Sequence, residues 1–234
     1  MKNTIKDKAK LVNSVFSSVH RKYDLMNDIM SLGVHRIWKE KFLDWMNPQL
    51  NNSLIDVASG TGDIAKLFNK KTNFSARIVC VEPNKEMMLV GKSNLNKFKN
   101  INWVRASAEK LPIKDNTFDF YSISYGIRNV SNIDQTLKEA FRVLKPGGRF
   151  MCLEFSKIDN EMINLIYQKY SKIIPFVGKY IVGSSKPYDY LVKSINEFYS
   201  QDELANLITN NGFSNVEYRN LSNGISAIHS GWKI

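Results

Sequence analysis

Short β-rich runs and longer segments with helical spacing alternate along most of the chain. Helical segments of about 10 to 15 residues separate the first five runs, a spacing typical of parallel strands joined by crossover helices. The last two runs lie close together and predict an antiparallel edge. The pattern therefore predicts a doubly wound α/β core. The seven runs are Leu54 to Ala58, Arg77 to Glu82, Ile101 to Ala106, Phe118 to Ser124, Arg149 to Phe155, Val216 to Leu221 and Ile225 to His229.

Two helical regions accompany this core. Residues 1–50 carry apolar positions at helical spacing, such as Trp38 and Phe42, and the helix should end at Asn47-Pro48 because proline disfavours helix in the preceding residue. Residues 157–199 lose the alternation and become rich in aromatic and apolar side chains. We expect one compact domain, with an N-terminal helical segment packed on a main domain of residues 51–234 that contains a helical cap insertion.

Composition and charge narrow the function classes. Cys80 and Cys152 lie among apolar residues, which indicates buried reduced thiols and a reducing compartment. No apolar run approaches the roughly 18 residues of a membrane span, so we expect no membrane-spanning segment. The net charge of +11 favours an anionic partner or a solvated basic face. Without an arginine-rich tract or a nucleic-acid motif, we expect no nucleic-acid partner.

A glycine-rich turn follows the first predicted strand. Gly60 and Gly62 lack Cβ atoms, so the backbone can turn sharply and a ligand can approach the main-chain amides. The turn also fits the dinucleotide fingerprint G-x-G-x-x-A, with Glu82 at the next strand end, where a ribose-binding acid belongs. Nicotinamide binding is therefore an alternative at this point, as is a glycine-rich connection without a ligand.

Further segments resemble the class I S-adenosylmethionine-dependent methyltransferases. Asp56 precedes the glycines, Ser107 to Pro112 follows the third strand, and Arg142 to Gly148 precedes the fifth. The resemblance implies a Rossmann-like, mostly parallel seven-stranded sheet with an antiparallel last strand. Acidic groups favour a cationic sulfonium, whereas Asp56 and Asp63 would repel a pyrophosphate. The cofactor-binding residues that it implies are Asp56, Gly60, Thr61, Gly62, Glu82, Ser107, Ala108 and Ser124.

More specifically, the segments Tyr23 to Trp38, Gly126 to Val130 and Arg142 to Phe150 resemble the ubiquinone/menaquinone biosynthesis C-methyltransferase family (UbiE-type). The resemblance implies methylation of a ring carbon in a polyprenyl benzoquinol or in demethylmenaquinol. Two departures are Glu82, where many relatives carry aspartate, and Ser107, where some carry asparagine. Both replacements keep hydrogen-bond acceptors for the ribose or adenine.

The resemblance places the candidate catalytic residues Arg128, Asn129 and Tyr23 near the substrate. A ring carbon is a weak nucleophile until a neighbouring phenol ionises, and a cation beside the phenol lowers its pKa. Arg128, after the fourth strand, is the candidate for this role, with a structural ion pair as the alternative. Tyr23, Asp24 and Asn27 either close over the site or pack and cap a helix.

The remaining expectations concern metals, the cap and the partners. The histidines lack metal-ligand spacing, so we expect no metal. Tyr188, Tyr190 and Asn196 line the substrate pocket or serve the core. Apolar cap residues either receive a prenyl tail at a membrane surface, in the cytoplasm or mitochondrial matrix, or pack the core. A quinone-biosynthesis assembly or a homodimer fits the resemblance. Methylation of a phospholipid amine or another small acceptor, nicotinamide-dependent oxidoreduction and a noncatalytic assembly role remain alternatives.

Overall fold

The computed structural model describes two long stretches of the chain, residues 33–158 and 186–234, and eight isolated positions: Val12, Asp28, Ser31, Glu161, Met162, Leu165, Tyr167 and Lys169. Seven strands and six helices are numbered here in chain order. The strands are β1 Ser53–Val57, β2 Arg77–Val81, β3 Ile101–Val104, β4 Phe118–Ser124, β5 Leu144–Phe155, β6 Ser214–Leu221 and β7 Ser226–Trp232. The helices are α1 His35–Met46, α2 Asp63–Lys71, α3 Lys85–Asn94, α4 Ile133–Val143, α5 Lys186–Asn196 and α6 Gln201–Asn210, with a 3-10 turn at Ile127–Asn129 between β4 and α4.

The strands form one sheet in the order β3-β2-β1-β4-β5-β7-β6. The first five strands are mutually parallel, and β7 is antiparallel to both β5 and β6. The strand order reverses between β1 and β4, and open α/β sheets place ligands beyond the carboxyl ends of the strands at such a point. The predicted doubly wound seven-stranded sheet with an antiparallel last strand is confirmed.

The fifth strand is longer than the sequence pattern predicts. It begins at Leu144 rather than Arg149, because Leu144 pairs with Phe118 of β4 before a register shift. The intervening Gly147 has φ +76°, and its N–H donates to the carbonyl of Lys233 at 2.7 Å. The segment expected to connect α4 to the strand is thus held in place by the C-terminal residues.

Two apolar clusters cover the two faces of the sheet, because successive strand residues point to opposite sides. One cluster joins Phe42 of α1 and Phe68 of α2 to Leu54 of β1. The other joins Leu137 of α4 and Ile208 of α6 to strand residues that include Ile55. This double coverage explains why the central strands read as continuous apolar runs.

The N-terminal helical segment and the cap insertion that the sequence predicts lie only partly within the described residues. Helix α1 lies within the predicted N-terminal segment and ends where expected: Asn47 adopts φ 50° and its N–H donates to the carbonyl of Leu43. Helix α5 lies within the predicted cap. The predictions for Tyr23, Asp24 and Asn27, and for the apolar cap residues Ile173, Ile174, Phe176 and Val177, lie outside the described residues. No helix in the described stretches is long and apolar enough to cross a membrane.

Candidate functional site

Two adjoining cavities open at the carboxyl ends of β1, β2 and β4, next to the point where the strand order reverses. They share Ala58, Gly60 and Tyr125. The wider cavity is lined by residues that follow β2, β3 and β4, among them Glu82, Asn84, Met87, Ser107, Ala108, Glu109, Gly126 and Asn129. The narrower cavity is lined by Lys39, Asp56, Ser59, Thr61, Asp63, Ile64 and Ser124.

The backbone adopts an uncommon conformation at two strand ends beside both cavities. Ala58 and Tyr125, at the ends of β1 and β4, both have positive φ, 52° and 54°. Such φ values are uncommon outside glycine and cluster at functional sites. A Cβ on Gly126 would lie 2.6 Å from the Cβ of Ala58. The two strand ends therefore approach so closely that only glycine fits at position 126.

Glu82 connects the glycine turn to the end of β2. Its Oε2 accepts the N–H of Gly60 at 2.9 Å, and its Oε1 accepts the N–H of Asn84 at 2.9 Å. The side chain is buried, and burial raises the pKa of Glu82 to about 7, against the effect of these two hydrogen bonds. Glu82 lines the wider cavity, and each of its carboxyl oxygens retains acceptor capacity of the kind that a ribose diol requires.

Asp56 lines the narrower cavity and has one carboxylate oxygen that no described residue pairs with. Its Oδ1 accepts the hydroxyl of Ser122 at 2.6 Å, whereas its Oδ2 is buried and has no hydrogen-bond partner within the described residues. Burial raises the pKa of Asp56 to about 7. The hydroxyl of Ser124 at the end of β4 is also buried without a partner there. Because buried polar groups are normally hydrogen-bonded, these two atoms could accept hydrogen bonds from a polar ligand in the cavity.

An ion pair joins the N-terminal helix to the glycine turn. Nζ of Lys39 in α1 donates to Oδ2 of Asp63 at 2.6 Å. Burial tends to raise the pKa of Asp63, but the charge and hydrogen bond of Lys39 outweigh it and lower the pKa. The repulsion of a pyrophosphate expected from Asp63 is therefore partly neutralised by Lys39.

The loop after β4 carries the candidate catalytic residues. Nη1 of Arg128 donates to Oε1 of Glu154 at 2.5 Å and to the carbonyl of Tyr125 at 2.8 Å. Asn129 lines the wider cavity, and its Oδ1 accepts the hydroxyl of Tyr190 in α5 at 2.9 Å. This last hydrogen bond joins the predicted cap insertion to the cavity wall.

The structure brings most of the predicted cofactor-binding residues to the cavities. Gly60, Glu82, Ser107 and Ala108 line the wider one, and Asp56, Gly60, Thr61 and Ser124 line the narrower one. Gly62 lies outside both cavity linings; its φ of +89° and the Leu95 side chain, 2.6 Å from where a Cβ would lie, favour glycine there. Arg128 is placed in the ion pair that was its alternative interpretation, and Tyr23 lies outside the described residues. The binding and catalytic roles themselves remain predictions.

The residues that the sequence reasoning missed include Lys39, which lines the narrower cavity, and Glu154, the ion-pair partner of Arg128. Lys39 lies one turn from Phe42, on the apolar side of α1, and a charged residue at such a position signals a buried partner or ligand. Glu154 interrupts the apolar residues of β5 in the same way. No three His, Cys, Asp or Glu side chains in the described part of the chain are grouped to hold a metal ion.

Comparison with known proteins adds sequence relatives over nearly the full length. A model of the ubiE/COQ5 methyltransferase family matches residues 2–233. A ubiquinone/menaquinone biosynthesis C-methyltransferase UbiE from Rickettsia bellii (strain OSU 85-389) is 49% identical, covering 97% of this chain and 94% of that protein. The protein of the same name from Brucella suis biovar 1 (strain 1330) is 45% identical, covering 97% and 87%.

Solved structures share the fold at low sequence identity. A SAM-dependent methyltransferase from Thermotoga maritima superimposes with a TM-score of 0.67 at 20% identity, covering 95% of this chain and all of that one. Phosphoethanolamine N-methyltransferase 2 from Haemonchus contortus, solved with S-adenosyl-L-methionine, gives a TM-score of 0.60 at 12% identity, covering 84% and 52%. At these identities the likeness shows the methyltransferase fold alone.

Proposed function

This chain belongs to the ubiE/COQ5 methyltransferase family, and we propose that it methylates a ring carbon of a polyprenyl quinol. It is a C-methyltransferase that uses S-adenosylmethionine. The acceptor that we propose is a benzoquinol of the ubiquinone pathway, a demethylmenaquinol, or both. The observation that carries the proposal is the pair of cavities at the strand reversal, with Glu82 and Asp56 as buried acceptors.

The residues of the two cavities fit the cofactor chemically. The buried Glu82 offers acceptors for ribose hydroxyls, and Ser107 and Ala108 line the wider cavity where an adenine would lie. Oδ2 of Asp56, unpaired among the residues that the structure describes, fits an ammonium group, and Thr61 and Ser124 supply hydroxyls to the same cavity. Glycine at position 60 lets a ligand approach the backbone. When bound, S-adenosylmethionine supplies an electrophilic methyl group on a cationic sulfur.

The chain itself must then align an acceptor ring and exclude water, because displacement at a methyl group depends on alignment. Asn129 and Tyr190 form a hydrogen-bonded pair at the wall of the wider cavity, which supports a role in orienting a ring hydroxyl. Arg128 supplies a buried positive charge on the same loop, which favours ionisation of a nearby phenol. The carboxylate of Glu154 fixes the guanidinium and offsets part of that charge.

We also propose that the protein acts at a membrane surface. A polyprenyl tail stays in lipid because each buried methylene is worth about 0.8 kcal/mol. Met162 and Leu165, which lie in the predicted cap, are 71% and 60% exposed, and the chain carries a net charge of +11. Flotation with anionic liposomes at low and high salt tests this. Binding that weakens with salt supports it, and no binding at either salt concentration contradicts it.

The reaction is tested by incubating the protein with labelled S-adenosylmethionine and short-tailed benzoquinol or naphthoquinol acceptors. We expect label on a ring carbon of one or both acceptors, located by mass spectrometry of the fragmented product. Label on oxygen, or transfer only to a phospholipid amine, would overturn the carbon assignment. A hydride-linked absorbance change with a nicotinamide cofactor would instead support the dinucleotide alternative.

A further inference from the structure

Lys39 is a buried cation on the wall of the narrower cavity. Its side chain is 9% exposed, whereas its ion-pair partner Asp63 is 42% exposed. Lysine is almost never buried unless it is paired. The ammonium lies beside the cavity lined by Asp56, Thr61 and Ser124. An N-terminal helix therefore places a positive charge next to the glycine turn.

Stability alone gives a weak explanation for this arrangement. Burying an ammonium costs solvation free energy, and a pair with a half-exposed carboxylate repays little of that cost. The ammonium also has three donors, of which Asp63 takes one. Charged groups held at cavity walls despite this cost are typical of ligand-binding sites.

The same cavity offers a complementary acceptor. Oδ2 of Asp56 is buried and has no partner within the described residues, and the hydroxyl of Ser124 is likewise unpaired there. A cation and an anion at the wall of one small cavity match a zwitterion, which carries one charge of each sign. The end of S-adenosylmethionine beyond its sulfur is such a zwitterion, an α-amino acid.

We propose that Lys39 binds the carboxylate of the amino-acid end of the cofactor, opposite the acceptor that Asp56 offers to its ammonium. The proposal rests on the proposed function, since it assumes this cofactor. Asp63 then acts as a positioning residue that holds the lysine side chain toward the cavity. In consequence α1 is part of the cofactor site and not only a packing helix.

The test is calorimetric binding of two ligands that differ only in this carboxylate: S-adenosylhomocysteine and its decarboxylated analogue, which keeps the ammonium, thioether and adenosine. For Lys39→Met we expect S-adenosylhomocysteine to bind about 10- to 100-fold more weakly, the range of one hydrogen bond between charged groups. The decarboxylated analogue should bind the variant and the unmodified protein equally. Lys39→Arg should restore most of the lost affinity.

Lys66→Met is the matched control, because Lys66 is exposed and adds positive charge near Asp63 from outside the narrower cavity. It should leave both affinities unchanged. Equal weakening of both ligands by Lys39→Met would show a structural role and overturn the proposal, as would no weakening of either. If Lys39→Met fails to fold, Lys39→Gln replaces it as the uncharged variant, and Lys39→Arg remains the charged variant for comparison. Failure of the unmodified protein to bind S-adenosylhomocysteine would instead contradict the proposed function.

Discussion

Nη1 of Arg128 lies 2.5 Å from Oε1 of Glu154, and the two side chains are only 3% and 1% exposed. Burial raises the pKa of Glu154, and the charge of Arg128 opposes that rise. The pair joins the loop after β4 to the end of β5, so it fixes the backbone that carries Asn129. The ion pair gives Arg128 a structural role, and the catalytic role that we propose for it needs a separate test.

Arg128→Ala should lower the free energy of unfolding by about 3–5 kcal/mol, because it leaves a buried carboxylate without its partner. Arg128→Ala combined with Glu154→Gln removes both charges and should recover much of that loss in urea unfolding. If the guanidinium acts on the substrate, the double variant should still bind S-adenosylhomocysteine but lack most turnover. Near-normal turnover of the double variant would reduce Arg128 to a structural residue.

Cofactor affinity should depend on pH through the two buried carboxyls. The pKa values of Glu82 and Asp56 are raised to about 7, mainly by burial. The ligand-free protein therefore holds protons there that must leave before Asp56 can pair with an ammonium and Glu82 can accept both ribose hydroxyls. The affinity for S-adenosylmethionine should therefore rise between about pH 6 and pH 8 in calorimetric titrations. Glu82→Gln should weaken binding and flatten this profile. An unmodified protein with a flat profile would contradict the prediction.

The carboxyls of Glu82 and Asp56 also determine the direction in which the free energy of unfolding changes with pH. A carboxyl whose pKa is higher in the folded state keeps its proton while the unfolded chain has lost it. Their contribution to the free energy of unfolding is therefore fully present below the unfolded pKa values, near 4, and is lost as the pH rises toward 7. Thermal unfolding of the ligand-free protein at pH values across that window measures the effect, with Glu82→Gln as the comparison.

Gly126→Ala tests the close approach of the two strand ends. The added Cβ would meet the Cβ of Ala58 at 2.6 Å, and both atoms are fixed by backbone, so the loop must move. We expect a stability loss of about 1–3 kcal/mol and weaker binding of S-adenosylhomocysteine. Gly147→Ala is the control, since no atom lies within 4 Å of its Cβ although its φ is +76°. It should cost stability through backbone strain without affecting ligand binding.

The strand positions and the residues of the glycine-rich turn after β1 were predictable from the sequence, because they depend on local patterns. The apolar run of β1, the glycines after it and Glu82 at the next strand end all follow from short spacings. The start of β5 was not predictable, because Leu144 pairs with Phe118 and Gly147 with Lys233, contacts made across the sheet. Local propensity at a Pro-Gly-Gly segment favours a turn, and tertiary pairing overrides it.

The ion-pair partners of charged side chains were also not predictable from the sequence. The motif of Arg128 lies at the carboxyl edge of the sheet, which makes Arg128 a candidate for the substrate with a structural ion pair as the alternative, but its partner Glu154 is 26 residues away in the chain. Lys39 and Asp63 meet because α1 packs against α2, a contact that no spacing in the sequence encodes. A charge within an apolar periodicity is the signal that both Lys39 and Glu154 carried, and it identifies a buried pair without naming the partner.

Tyr190→Phe tests the hydrogen bond between α5 and Asn129. Loss of the hydroxyl leaves Oδ1 of Asn129 without this donor, and the side chain that lines the wider cavity becomes free to reorient. A neutral hydrogen bond of roughly 0.5–1.5 kcal/mol corresponds to about a 2- to 10-fold change. If Asn129 orients the acceptor, the change should appear in turnover with the quinol, while calorimetry shows unchanged affinity for S-adenosylhomocysteine.

Tyr188→Phe is the matched control on the same helix. The hydroxyl of Tyr188 is buried in the apolar core and has no partner within the described residues, so its removal should be neutral or slightly stabilising. Equal losses of turnover in both variants would indicate that α5 acts only through packing. A loss of cofactor affinity in Tyr190→Phe would mean that the cap helix supports the cofactor site rather than the acceptor. Only a loss of turnover confined to Tyr190→Phe supports a role for the pair in orienting the ring.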